Sequence, residues 1–419
     1  MNYQIDVRKS SRHLGVVAVF LLSLAGILTA LFEWSTPIVW TQFVCMVAIG
    51  ATFVINHGFF SLNAFTGKRF LRYYFLYSVF VLCHSFFIAN SYEQWSYLAN
   101  VFTPTLMLPC FAIVGSNPVI LSRALRLVLR LTLPVSLLFL IKGPTDRNSN
   151  LVFINYVAFS HIFVVLLPLL RVRWRLLVVF ISIVSLGWDI ENRSNILQLA
   201  VCYALLLLHL LRRNGVIGNA FRGILKLIRI WLLVLPIILL ALGVSGVFNP
   251  FSYLEGNTIL GSVAVSEESG RYLGTDSRTG IYEDAFNNLM ENNDWLFGSS
   301  AVVIYKTQLA NALSGYDYGR LGGSESGFLG LLTFGGILYV LLFFLLCHHS
   351  SKLAVQESNN IAIELVGIYV AFRWLFSFIE LPLMLSFSWV VLFVAMGMAF
   401  SDEFRSMSDI EFADYFRKL

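Results

Sequence analysis

The chain reads as long apolar runs separated by short polar breaks. A helix needs about 20 apolar residues to cross the hydrocarbon of a bilayer. Runs of that order fall at about 14–33, 38–59, 73–89, 96–115, 124–141, 151–170, 175–190, 195–211, 230–248, 327–347, 360–379 and 383–400. They predict an all-α polytopic membrane protein of about twelve transmembrane helices, because backbone groups in lipid must find their partners within the segment. The first run, Leu14–Phe32, is long enough to stay as a span, and no small-residue cleavage site follows it. Only one break is long. It divides the chain into residues 1–248 with nine spans, a polar loop at 249–326, three more spans at 327–400 and a tail at 401–419.

The loop has its own pattern. Ile281, Ala285 and Leu289 recur at four-residue spacing with Phe286 and Met290 beside them, which predicts an amphipathic helix over 280–293. Asp276 and Ser277 are candidate N-caps, and Trp295-Leu296-Phe297-Gly298 supplies interfacial aromatics and a glycine stop. Such a helix is expected to lie on the membrane face. The tail mixes acids with aromatics and is expected to form a short interfacial helix.

Composition agrees with the span count. Charged residues make up 13% of the 419, hydrophobic ones 58%, and the mean hydropathy is +0.75. A soluble domain carries about a quarter charged residues. The net charge of +5 is therefore no nucleic-acid signal; its placement matters more than its size. Arg8, Lys9 and Arg12, then Lys68, Arg69 and Arg72, then Arg123, Arg126 and Arg130, then Arg171, Arg173 and Arg175 all fall in alternate breaks. Arg212, Arg213, Arg222, Lys226 and Arg229, then Lys352, then Arg405, Arg417 and Lys418 continue the series. The short breaks between them hold only Lys142, Arg147 and Arg193. Basic loops stay cytoplasmic. Both termini are thus expected in the cytoplasm, and the 249–326 loop on the outer face.

Several classes of chemistry are poorly served. The five cysteines, Cys45, Cys83, Cys110, Cys202 and Cys347, lie in apolar runs without metal-ligand spacing and read as small buried hydrophobes. No phosphate-binding glycine loop or dinucleotide fingerprint is present. His57, His84 and His161 stand in spans without a paired ligand and read as core histidines with satisfied nitrogens.

Charge that resists this bland reading collects on the outer side. The turn Trp188-Asp189-Ile190-Glu191-Asn192-Arg193 is one place, and the loop, with ten acids against four bases, is another. The third is Arg373 inside the eleventh span, with Glu380 two helical turns on and so on the same face, about 10 Å away. Arg278, at the start of the predicted loop helix, combines a guanidinium with a helix N-terminus, an arrangement suited to phosphate. Glu325, at the mouth of the tenth span, is expected to be partly desolvated and so a candidate base. A solvated loop arginine, a dipole-matching acid and a buried Arg373 ion pair are the competing structural readings.

These segments resemble the bacterial O-antigen polymerase and ligase superfamily. The likeness rests on the late outer loop, Asp276-Ser277-Arg278-Thr279-Gly280-Ile281-Tyr282, Trp295-Leu296-Phe297-Gly298, and Ser324-Glu325-Ser326-Gly327-Phe328-Leu329 leading to Gly335-Gly336-Ile337. It implies metal-independent glycosyl transfer from an undecaprenyl-pyrophosphate-linked oligosaccharide on the outer face of the bacterial inner membrane, with no cofactor. Under it Glu325 and Asp276 are the candidate bases, and Arg193, Arg278 and Arg373 the pyrophosphate ligands. Arg271, Tyr282, Arg320 and Glu380 are then candidate substrate contacts, and the expected companions are the bilayer, a chain-length regulator and a flippase. Ligases of the superfamily place a histidine near the position of Glu325, whereas residues 249–325 contain none, so polymerase is favoured. A ligase and a twelve-span transporter or flippase are the alternatives.

Overall fold

The computed structural model describes residues 67–137, 157–188, 193–215, 220–248, 264–266, 271–272, 279–306, 319–321 and 325–419. Among these the protein is a helical bundle with two small ribbons. In chain order α1 is Lys68–Ile88, α2 Tyr92–Tyr97, α3 Leu108–Ser116, α4 Pro118–Leu127, α5 Leu133–Ser136, α6 Phe159–Val165, α7 Val172–Trp188, α8 Arg193–Arg213 and α9 Phe221–Val244. The polar region contributes β1 Ala264–Ser266, β2 Arg271–Tyr272, α10 Thr279–Asn292, β3 Ile304–Lys306 and β4 Gly319–Leu321. Then follow α11 Gly327–Glu357, α12 Ile361–Ser377, α13 Phe387–Phe400, α14 Asp402–Ser406 and α15 Asp409–Arg417. The strands pair as two antiparallel ribbons, β1 with β2 and β3 with β4.

Among the described residues five helical stretches are long and apolar enough to cross a membrane: Arg69–Ile88, Tyr92–Ser116, Ser194–Arg213, Phe221–Val244 and Gly327–Glu357. The second runs from α2 into α3 through a π turn and a 3₁₀ turn. The protein is a membrane protein on this ground. The expected spans at 14–33 and 38–59 lie outside the described residues, and those at 124–141, 151–170 and 175–190 are described only in part. The core is built from α3, α11, α12 and α13. Gly115 and Gly397 let α3 and α13 meet backbone to backbone, since a Cβ on either would collide with a carbonyl of the other helix, Val394 O and Ala112 O respectively. Small residues permit this approach where lipid offers no hydrophobic drive.

Contacts sort the helix ends into two groups. One end gathers the tail and the basic turns. The Arg222 Nε donates to Glu364 Oε1 at 2.8 Å, Arg405 pairs with Glu357 and Asp402, and the Arg171 Nε donates to Arg417 O at 2.6 Å. The other end carries the polar region, where Gln94 Nε2 donates to Val302 O at 3.1 Å and Tyr282 donates to Phe378 O at 2.7 Å.

Three expectations are refined here. The tail packs on protein. Its Phe404, Phe412 and Phe416 are buried, and Asn360 donates to Phe404 O and Met407 O, so α14 and α15 clasp the bundle. Likewise α10 does not lie free on a lipid face. It buries Ile281, Ala285 and Leu289 against protein, packing on α11 and β3, while Met290 faces outward at 67% exposure. Finally, Asn293 in the left-handed region ends α10, and Gly298 has another use.

That use lies inside the bundle. Gly336 sits mid-α11 with φ 67° and ψ −168°, a backbone state that only glycine adopts easily, and breaks the helix. Residues 294–300 fill the break. Ile337 N donates to Trp295 O at 2.8 Å and Ser299 N to Thr333 O at 2.8 Å, while Tyr77 Oη donates to Gly335 O at 2.7 Å. Gly298 lies against the Gly335 and Gly336 amides, where a side chain has no room. Irregular backbone at membrane depth is tolerated only when its polar groups are satisfied by protein in this way.

Candidate functional site

Among the described residues the charged side chain buried most completely is Arg373, at 0% exposure near the end of α12. Three helices position it. On α12, Tyr369 is one turn away on the same face. On α8, Asn195, Gln198 and Cys202 form one stripe, and Gln198 Oε1 accepts from Arg373 Nη1. At the start of α13 the Ser388 carbonyl lies 3.5 Å from Nη2, and the Phe376 ring lies 5.2 Å from the guanidinium carbon. The Arg373 charge also reaches His161 on α6 and Cys347 on α11.

No carboxylate pairs with Arg373 among the described residues, and its Nε has no hydrogen-bond partner. The expected face shared with Glu380 is absent, because α12 ends at Ser377 and Glu380 belongs to the following turn. The signal was in the sequence: Leu381 precedes Pro382, and a residue before proline avoids the helical region. Leu381 takes φ 93°. The structural alternative for Arg373, a buried ion pair, is likewise not found among the described residues.

His161 is a core residue beside Arg373. It is 1% exposed, and its ring has Asn195 of α8 as a hydrogen-bonding neighbour. The Tyr369 hydroxyl is buried without a partner. Neither residue, nor Gln198, stands out in the sequence, because each sits alone in an apolar run; only the packing of α6, α8 and α12 brings them to Arg373.

Above this cluster the end of the bundle is polar. Ser326 caps α11 through Leu329 N and donates to Ser377 O at 2.9 Å, which fixes Glu325 beside the end of α12. Glu325 is exposed, so the desolvation expected of it is not there. Gly327 N points to Glu380 O at 3.5 Å. Tyr282 reaches in from α10, stacks at 6.4 Å on Phe328 and bonds Phe378 O. Glu325, Glu380 and Tyr282 are therefore gathered at one mouth, within about a helical turn of Arg373 along α12.

The remaining candidates are not placed by side chain. Arg193 opens α8, Arg271 lies in β2 and Arg320 in β4, with only their backbones described. Asp276 and Arg278 lie outside the described residues. Against family models, curated proteins and solved structures the chain finds no match, so its function is read from this site alone.

Proposed function

We propose that the protein is an inner-membrane polysaccharide polymerase. It transfers a growing glycan from undecaprenyl pyrophosphate to a lipid-linked repeat unit at the outer mouth of the bundle. The observation that carries this reading is Arg373, a buried guanidinium without a carboxylate partner among the described residues, beneath a mouth lined by Glu325, Glu380 and Tyr282. Ionisable groups at membrane depth are costly and default to function. In the reaction an acceptor hydroxyl oxygen bonds to the anomeric carbon, the bond from that carbon to the diphosphate oxygen breaks, and the diphosphate leaves with the electron pair. Arginine stabilises the leaving charge as it develops. Glu325, exposed at the mouth, accepts the hydroxyl proton, with Asp276 as the second candidate. Arg193 and Arg278 join Arg373 as phosphate ligands, and Arg271, Arg320 and Tyr282 contact sugars. The reading includes twelve spans, cytoplasmic termini and an outward loop, as the basic turns require.

The test is chain length. Deleting the gene should collapse the surface glycan ladder to core plus one repeat unit, and Arg373→Gln should do the same while still inserting. Loss of every repeat, the first included, would indicate a ligase or flippase instead. A normal ladder in R373Q would remove Arg373 from the reaction.

A further inference from the structure

We propose that the seam between α9 and α11 at the basic end of the bundle binds the headgroup of an anionic phospholipid, with Arg229, His348 and Lys352 as its polar contacts. The site lies at the opposite end from the Glu325 mouth and is independent of the glycan transfer.

The seam sits where two apolar runs stop. On α9 the run 230–248 begins immediately after Arg229, and on α11 the run 327–347 ends immediately before His348. These limits are far apart in sequence, yet Arg229 Nη1 donates to His348 O at 3.4 Å. Both helices therefore leave the hydrocarbon at one level. The headgroup layer begins where the hydrocarbon ends.

Arg229 does not reach water at that level. It is 5% exposed, on the inward stripe of α9 with Leu225 and Leu233, and its Nε has no hydrogen-bond partner. No carboxylate pairs with it among the described residues. Arg405 is equally buried and shows the contrast, since it holds Glu357 and Asp402. A buried charge without a counter-charge is costly. The neighbours add to the deficit of negative charge. Lys352 is one turn from His348 on α11, Lys226 is one turn from Arg229 on α9, and the Arg229 and Lys352 charges both act on the His348 ring. Even a neutral imidazole has an N–H to give. A cation is repelled from such a set. A phosphodiester suits both its charge and the fork of the arginine.

The seam is open along its rim. Lys226, Ile230 and Val234 form one exposed stripe on α9. On α11 the matching stripe runs from exposed Lys352 through half-buried His348 to exposed Leu341. Each stripe is basic toward the tail and apolar beyond. A phospholipid in the seam meets the bases with its phosphate and the apolar residues with its acyl chains. Basic pockets between membrane helices hold anionic headgroups in this way. The two exposed lysines are the way in to Arg229.

The experiment uses the full chain purified in neutral detergent and titrated with dioleoyl phosphatidylglycerol, dioleoyl phosphatidylcholine or glycerol phosphate. Native mass spectrometry resolves the free chain from the chain with one lipid and gives the affinity ratio. Phosphatidylglycerol should bind in preference to phosphatidylcholine. Arg229→Gln should reduce that preference about tenfold, as losing a hydrogen bond to a charged group does. Lys352→Gln should reduce it about fivefold, the usual worth of one base near an anionic headgroup. Arg229→Lys should recover part of it, because the charge is kept and the fork lost. Lys418→Gln removes an exposed base of the tail and should leave the preference unchanged. If Arg229→Gln fails to insert, Lys352→Gln and Lys226→Gln carry the test, since both stand at exposed positions. No preference in the wild type, or an undiminished one in the inserted variants of the seam, overturns the site. An equal fall in Lys418→Gln also overturns it, by assigning the preference to general surface charge. Glycerol phosphate should not displace the lipid; displacement would assign the seam to a free phosphate and overturn the lipid.

Discussion

Two glycines show how much of this bundle is decided by single atoms. At Gly397 a Cβ would run into Ala112 O, and backbone cannot move aside as a flexible side chain can. Gly397→Val should therefore push α13 off α3 and destabilise the protein by about 1–3 kcal/mol or more. Gly243→Ala is the matched control, as its Cβ would meet only Phe248 O at 3.9 Å. Detergent thermal melts on the pair should show a lower midpoint for G397V alone; equal midpoints would mean that the helices are not in backbone contact. The same scale explains what the sequence hid at the site. Arg373 was legible as a charge in an apolar span. The partner of His161 was not, because it depends on which helices surround the imidazole, and α6 and α8 are brought together only by tertiary packing. Glu380 was misplaced for a simpler reason: hydropathy does not mark where a helix stops, whereas Leu381-Pro382 does.

Elements were read better than their ends. The four-residue apolar spacing located α10 to within one residue at each end, yet gave no hint that its apolar face meets protein rather than lipid. Hydropathy likewise ended the tenth span near residue 347, while α11 continues to Glu357. The polar stretch after Cys347 stays helical because its buried face packs on α12, where Ala354 lies against Gly367, and Ser350 satisfies its hydroxyl within the helix on Leu346 O at 2.6 Å. The break at Gly336 is the reverse case, a dislocation inside an unbroken apolar run. Gly336→Ala places a Cβ against Leu296 O in a conformation costing about 1–3 kcal/mol for any other residue. Its signature should be protease cleavage within 294–302 at temperatures where the wild type resists; unchanged resistance would show that the wedge does not depend on the break. The clasp of α14 and α15 has a comparable keystone. Asn360→Ala would remove a cap from Ile363 N and leave Phe404 O and Met407 O short of a donor, a loss of about 2–4 kcal/mol. Early amide exchange of 402–417 in that variant is the expected readout. Within α15 the backbone N–H and hydroxyl of Ser408 hold the Glu411 carboxyl below its ordinary range. A depressed carboxyl stabilises above its unfolded pKa, about 4.3, and that contribution is lost as pH falls through the folded value. Exchange protection of α15 should thus be flat from pH 7 to 5 and decline below, and Ser408→Ala should flatten the decline.

At the scale of the whole molecule the question is which way the bundle faces. The alternation of basic and non-basic breaks in the sequence and the two groups of helix ends in the structure are independent facts, one about charge and one about contacts. They coincide: Arg171, Arg222, Arg405 and Arg417 meet at the end that holds the tail, while α10 and the α11 wedge occupy the other. Chance placement of so many bases would not respect the geometry, so the positive-inside bias has something real to act on. Two exposed positions report the result directly. Met290 on α10 is 67% exposed at the polar end, and Ile410 on α15 is 75% exposed at the basic end. In a background with all five cysteines replaced, Met290→Cys should react with a membrane-impermeant maleimide added to spheroplasts. Ile410→Cys should react only after lysis. Labelling of both from the same side would contradict the two-ended bundle itself. The inverse pattern would keep the bundle and turn it over, placing Arg373 one helical turn from the cytoplasm. The polymerase would not survive that result, because its substrates are glycans already carried to the outer face.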